Sequence, residues 1–437
     1  MATKKPSPAG ATGDAGGATN PTEALLLAAL ERGDGTLETG RYLVTYRESA
    51  MKEGLRSLKT RGFNVADARD FKDQAVSPDE VSGADALVFP EIGVAVVGGE
   101  SLRTRGLSVQ DEPAGDDPVE TIEPEYFVFA ENRDYLRGFA RAAGVIARDL
   151  GAEREGVPPA DEEEEDPGAE FLGATWGLIR CKVPPSGRSG AGIRVAVLDT
   201  GMDVGHPDFA GRPLVTQSFV GQPVQDLNGH GTHCIGTACG PRAPAGTTPR
   251  YGVAYASRIY VGKVLTNSGS GTGAGVLAGM NWAIANNCHV ISMSLGSQSP
   301  VQAAYTNAGR AALARGLLIV AAAGNAAAST GAPANSPTIL SVASLDPTLA
   351  PSSFSNRGKI ELAAPGRDIF SAWPRPTRYR TISGTSMACP HVAGCAALWA
   401  QSSASLRGLA LWNRLRATAR KLPYAATRVG AGLVQAP

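Results

Sequence analysis

Three short segments of this 437-residue chain carry the acid, the base and the hydroxyl nucleophile that acyl transfer requires. In Val195-Ala-Val-Leu-Asp-Thr-Gly201, Asp199 ends an apolar, β-rich run. A carboxylate there can hold an imidazole in one tautomer and stabilise it once charged, although aspartates also end strands as plain turn formers. In Asn228-Gly-His-Gly-Thr-His233, His230 stands between two glycines at a helix start, where backbone can approach closely and the ring is accessible. In Ser383-Gly-Thr-Ser-Met-Ala-Cys-Pro-His391, Ser386 enters a helix. Its own N–H then points where an oxyanion could form, and the helix dipole favours negative charge there. Pro390 follows so closely that it must sit in the first turn or at a bend. His230 and His233, spaced i, i+3, could seed a zinc site on one helix face. The seven acids after residue 170 supply no partner motif, so no metal ligand is assigned.

The elements that must position these residues show in the hydrophobic pattern. After Gly173, apolar β-rich runs (Arg194 to Leu198, Arg258 to Val264, Val290 to Ser294, Leu317 to Ala322, Thr338 to Ala343) alternate with helical stretches (His230 to Cys239, Gly273 to Asn286, Val301 to Arg315, Ser386 to Gln401). Continuous apolar strands separated by helices imply an α/β fold over 173–437, its mostly parallel sheet covered by helices on both faces. Ligands in such sheets bind beyond the carboxyl ends of the strands, and the chemical residues lie mostly at or near such ends. Upstream, Tyr42-Leu-Val-Thr-Tyr46 alternates as a strand and Ala50 to Arg61 has helical spacing. Asn64 to Ala68, Ala86 to Pro90 and Ile92 to Val97 read as further strands. That order predicts a small α+β domain over 41–130. Residues 1–40 are expected to be disordered, the first twenty being rich in Gly, Ala, Thr, Ser and Pro. Residues 131–172 are expected to form a helix over 131–150 and then a linker. Its Asp161-Glu-Glu-Glu-Glu-Asp166 run repels itself and stays extended.

The net charge of zero hides a division. Residues 1–170 carry 18 Lys/Arg and 34 Asp/Glu, whereas residues 171–437 carry 23 and 7. Such halves attract each other, leave the basic part for an outside anionic partner, or are each simply solvated by their own charge. No clustered basic motif with interleaved aromatics points to nucleic acid, and no run of 18 apolar residues points to a membrane span. The apolar run Ala24 to Leu30 is too short, and too poorly flanked, for a secretory signal. Cytoplasmic synthesis is therefore expected, with non-classical secretion left open. All six cysteines lie after residue 180 without paired metal-ligand spacing, as suits free buried thiols.

Asp-Thr-Gly, His-Gly-Thr-His and Gly-Thr-Ser-Met-Ala-x-Pro-His, in that order, resemble the three catalytic signatures of the subtilisin-like serine peptidases. His206-Pro-Asp-Phe and the lead-in Trp176-Gly177 are similar too, and Thr232-His-Cys234 is closest to the proteinase K branch, which places a thiol beneath the catalytic histidine. The resemblance implies a serine endopeptidase working through an acyl-enzyme. Asp199 would orient, His230 act as base and then acid, Ser386 attack, and Asn325 of Ala321-Ala-Ala-Gly-Asn325 donate to the oxyanion. A non-catalytic binding protein retaining the fold is the alternative.

The resemblance also implies how polypeptide substrates bind. Ser294-Leu295-Gly296 and the segment around Gly271 would pair with an extended peptide, with Ala323 and Gly324 as a pocket wall and Gly331 at its base. A deep pocket preferring large apolar P1 residues follows, and Gly273 stands where many relatives carry an aromatic lid. Residues 41–130 resemble the family's inhibitor prodomain, ferredoxin-like in fold. Ile122 to Ala130 would be the tail in the cleft, with Phe129 or Ala130 in the primary pocket. A monomer inhibited by its own prodomain is expected. No cofactor is required; calcium is left open, because Asp208 matches one family ligand while residues 240–249 lack the expected Asn.

Overall fold

Val195 and Val197 of strand β6 (Arg194–Asp199) enter one apolar cluster, whereas Ala196 and Leu198 enter another. A strand apolar on both sides must lie between two covered faces. The structure is a computed structural model that describes residues 20–32, 37–81, 83–105, 117–130 and 173–437. After a short helix α4 (Trp176–Arg180), seven strands form one sheet. In spatial order they are β14 (Leu362–Pro365), β13 (Leu340–Leu345), β12 (Leu318–Ala322), β10 (Val290–Met293), β6, β8 (Arg258–Lys263) and β7 (Leu214–Ser218). Every neighbouring pair is parallel. Helices α5 (His230–Cys239) and α8 (Thr385–Ser402) cover one face; α6 (Gly273–Ala285) and α7 (Ala303–Ala314) cover the other. The short strands β9 (Ser270–Thr272) and β11 (Leu295–Gly296) and the hairpin β15 (Ile369–Ala372)–β16 (Tyr379–Ile382) stand outside this sheet.

The first half is a mainly antiparallel sheet in the order β5-β1-β4-β3-β2. It comprises β1 (Glu38–Tyr46), β2 (Val65–Asp67), β3 (Ala86–Phe89), β4 (Val94–Gly98) and β5 (Val119–Ala130). One face, with Val44, Val88 and Val97, packs on Leu58 of α2 (Met51–Thr60) and Leu102 of α3 (Gly99–Thr104). The other face, with Leu43, Phe89 and Val96, joins the cluster that contains α6 and α7. The two helices are therefore sandwiched between two sheets.

The expectation of disorder through residue 40 is corrected here. Pro21–Arg32 is a helix, α1, whose Leu26 and Ala29 are buried against Phe127 of β5. Asn20 caps it by accepting from the Thr22 amide at 3.0 Å and donates to Val220 O at 2.7 Å. The apolar partner lies about a hundred residues away in sequence, so local composition could not reveal it. Residues 131–172, the expected helix and acidic linker, lie outside the described residues. Among the described residues no helix is long and apolar enough to cross a membrane.

Candidate active site

Asp199, the last residue of β6, is 1% exposed. Its Oδ1 accepts from His230 Nδ1 at 2.7 Å and from the Thr200 amide at 2.7 Å. Because a carboxylate can only accept, Nδ1 carries the ring proton. His230 opens α5 after Gly229, whose φ of 104° suits glycine alone; a Cβ there would fall 2.3 Å from Trp373.

Ser386 is the second residue of α8, which packs on α5. The Cys234 thiol joins the two, 3.9 Å from His230 Nδ1 and 3.6 Å from Ser386 O. Pro390 explains why that carbonyl is available. Lacking an N–H, it cannot bond the carbonyl four residues earlier, and Ser294 Oγ donates to Ser386 O instead, at 2.7 Å. Ser386 Oγ lies 3.4 Å from Ser294 O. Asn325 Oδ1 accepts from the Thr385 amide at 2.8 Å and from Thr385 Oγ1 at 3.0 Å. Those two bonds assign Oδ1 as the acceptor and leave Nδ2 as the amide's donor. Thr385 Oγ1 in turn accepts from the Gly324 amide at 3.1 Å.

The end of β5 lies between the two segments expected to bind substrate. Phe127, Val128 and Phe129 pair antiparallel with Thr272, Gly271 and Ser270, and Phe129 and Ala130 pair with Gly296 and Leu295. Val128 and Ala130 face the cluster that contains α6 and α7, whereas Phe127 and Phe129 face α1. The reading of Phe129 in the primary pocket is therefore corrected, because strand alternation turns it to the opposite side. Ala130 sits opposite Leu295, one position short of Ser294 and hence of the nucleophile's immediate surroundings.

Ala323 and Gly324 are buried beside Asn325, with Ala323 O accepting from the Gly331 amide at 3.2 Å. A Cβ on Gly331 would lie 2.3 Å from Ser297 O. This glycine therefore permits close packing of two segments. Gly273 begins α6, where a Cβ would meet Glu125 Cγ at 3.3 Å and Tyr126 O at 3.4 Å.

Two acids of β5 also reach the second unit. Glu125, fully buried, accepts from the Ala274 amide at 2.6 Å and from Arg41 Nε at 2.6 Å. Glu123 accepts from the amides of Ala303 and Ala304 at 3.1 and 3.0 Å. The carboxylates thus cap α6 and α7, whose first turns expose unpaired N–H groups and the positive dipole end. The sequence reading missed both residues, as it missed Thr385 and Ser294 Oγ. A carboxylate–helix contact between distant segments leaves no local signature.

The remaining histidines have structural partners. His206 Nε2 donates to Arg378 O at 2.8 Å, His233 Nε2 to Ile369 O at 2.9 Å, and His391 Nδ1 to Met387 O at 2.8 Å. His289 is half-buried and accepts from the Arg194 amide at 3.1 Å. The six thiols are all free and buried. Asp199, His230 and Cys234 cluster tightly. Burial and the neighbouring Asp199 push the Cys234 thiol well above its ordinary pKa, so it would be a poor metal ligand.

Asp208 does not fit a calcium ion. Its carboxylate accepts from Tyr251 Oη at 2.5 Å and from Tyr379 Oη at 3.1 Å. These neutral hydroxyl donors occupy the oxygens that an ion would need. The expected result is that Asp208→Asn lowers the Tm by several degrees, equivalent to about 1–3 kcal/mol, and by the same amount with and without excess EDTA. Differential scanning calorimetry with and without chelator checks both arms.

Residues 190–432, more than half of the chain, match the model described as the Subtilase family. The chain belongs to the subtilase family. The subtilase domain is 41% identical over 268 residues to Subtilisin Savinase of Lederbergia lenta, covering 60% of this chain and 96% of that protein. It is 40% identical over 282 residues to an alkaline protease of Shouchella clausii, covering 63% and 72%. A crystal structure of a cold adapted subtilisin-like serine proteinase aligns with a TM-score of 0.55 at 37% identity, over 61% of this chain and 99% of that one. This subtilase is a serine-type endopeptidase with the subtilisin-like α/β fold.

Proposed function

We propose that this subtilase cuts polypeptides through an acyl-enzyme on Ser386 and is made as a zymogen inhibited by its own residues 20–130. Ser386 Oγ gives its proton to His230 Nε2 as it attacks the carbonyl. Asp199 holds the ring and stabilises the imidazolium, and His230 then protonates the leaving amine. The Ser386 N–H and Asn325 Nδ2 hold the developing oxyanion. The carrying observation is the 2.7 Å Asp199–His230 pair at the start of a helix whose Cys234 also reaches Ser386 O. A fluorophosphonate probe tests it: covalent labelling of the mature enzyme at Ser386 supports the reading, and a wild-type enzyme that resists labelling while cleaving peptides overturns it.

The paired tail supports self-inhibition. A substrate would add to β9 and β11 as a strand, and β5 occupies that place. The self-cut falls on the carboxyl side of Ala130, since the register reaches Leu295 there without arriving at Ser294. The small apolar walls at Ala323 and Gly324 favour apolar P1 side chains. Neither a cofactor nor a second subunit enters this scheme.

Retention of the cut unit should depend on Glu125 and on salt. Glu125→Gln keeps the shape but removes the charge facing both the α6 N-terminus and Arg41. The inhibition constant should rise about tenfold or more. The opposite charges of the halves add a long-range attraction that salt screens. Activity measured after dilution of the processed protein, at low and high salt, checks both; identical curves would reject the electrostatic account.

A further inference from the structure

Two charged side chains buried behind Asp199 have no part in the proposed steps. Lys263 ends β8 directly beside Asp199 in the sheet register and is 0% exposed. Its Nζ donates to Thr200 O, and to Asn267 Oδ1 at 2.8 Å. Asp226, also 0% exposed, lies four residues before His230. Its Oδ1 accepts from Thr200 Oγ1 at 3.0 Å and from the amides of Asn228 and Gly229 at 3.0 and 2.8 Å. Its Oδ2 accepts from the amide and hydroxyl of Thr232 at 2.9 and 2.7 Å. Asp226 thus holds the turn and first residues of the helix that presents His230. Thr200 ties the two charges to the active site: its amide donates to Asp199 Oδ1, its hydroxyl accepts from the Gly231 amide at 2.8 Å, and its carbonyl takes Lys263.

A second buried carboxylate beside a catalytic histidine carries an electrostatic penalty. It favours the imidazolium, which cannot act as a base. We propose that Lys263 and Asp226 are a compensating pair of positioning residues: Asp226 anchors the helix that bears His230, and Lys263 cancels its charge so that the ring stays neutral and competent to take the serine proton. The inference rests on the reading of His230 as the general base.

The other groups around His230 do not do this job. Burial lowers His233 to about 3 and His391 to about 4, leaving both uncharged at working pH. The thiols of Cys234 and Cys389 are pushed up by burial and are likewise neutral. Arg380, whose carbonyl faces His233, is exposed, and water and salt screen its charge. Asp203, also buried, donates its amide to Thr232 Oγ1 at 2.9 Å, but its carboxylate is already balanced by Arg375, which bonds both oxygens at 2.9 Å. Asp199, Asp226 and Lys263 are then the remaining charges near the ring in a dry setting. Burial lowers Lys263 to about 8, with Asp226 and Asp199 opposing the shift. The ammonium therefore stays charged through the acid limb, where the histidine loses its proton.

The test is the pH dependence of fluorophosphonate inactivation of the processed enzyme, which reports the base without a substrate-binding step. Lys263→Met should move the acid limb to higher pH by roughly half to one unit, because the uncompensated Asp226 then favours the imidazolium. Asp226→Asn should move it by a similar amount to lower pH, and the double variant should return close to wild type. A purely structural role predicts lower rates or a lower Tm without shifts of opposite sign. Singles that shift the same way, or neither way, overturn the proposal. If Lys263→Met does not fold, Asp226→Asn decides alone: a downward shift supports the pair and an unmoved limb rejects it. A wild-type enzyme that never reacts with the probe overturns the assignment of Ser386 and His230, and this inference with it.

Discussion

Ser386→Ala should leave the chain uncut after synthesis and lower kcat toward any peptide by on the order of 10⁶, a magnitude taken from a subtilisin rather than from this protein. The substitution removes one oxygen from a buried position. The Ser294 hydroxyl is bonded to the Ser386 carbonyl rather than to its side chain, so helix α8 keeps its anchor and the fold should persist. Loss of rate then reports loss of the nucleophile. Residual rate above the uncatalysed reaction would come from the oxyanion donors and from binding. Mass spectrometry of the purified chain and single-turnover assays together check the expectation. A Ser386→Ala chain that still cuts itself on the carboxyl side of Ala130, with no other peptidase present, would remove Ser386 from the mechanism.

The second large effect concerns Asn325. Asn325→Leu should reduce kcat by about 10²–10³ with little change in KM, as expected of a donor used only when negative charge develops. Leucine also strands the Thr385 amide and hydroxyl, which now share Oδ1. Part of its cost would therefore be structural. Asn325→Asp separates the two contributions, since a carboxylate still accepts from Thr385 but offers no donor. The expected result is a loss at least as large as that of the leucine variant, with the Tm nearly unchanged. Steady-state kinetics alongside thermal unfolding checks it. An aspartate variant of wild-type activity would mean that Nδ2 does not face the oxyanion.

The parallel sheet and its helices were legible because their signals are local. Strands such as Val195 to Leu198 are apolar on both faces, and the segments that carry Asp199, His230 and Ser386 are contiguous runs. Less was visible where one segment meets another far away in sequence. Nothing in Pro21–Arg32 announces a helix that needs Phe127 to bury Leu26, and nothing in Glu123 or Glu125 shows that each meets the first turn of a distant helix. Pro390 was legible as an oddity but not as an explanation. Its meaning appears only once Ser294 Oγ is seen bonded to the carbonyl that a regular helix would have paired internally. Phe129 was misassigned for a different reason: the motif located the tail, but which face each side chain takes depends on a register that only the strand pairing reveals.

Strand β5 is held along its first part by β1 and along its last part by β9 and β11. One unbroken ribbon therefore belongs to two structures at once. In the proposed scheme, severing it near Ala130 would detach a tether but not a plug, because the rungs on either side of that ribbon remain. Under the proposed self-inhibition, the groove would empty only once the small sheet from which the ribbon extends leaves it or melts. The grip and resilience of that sheet, rather than the speed of the first cut, would then set how long the scissors stay closed.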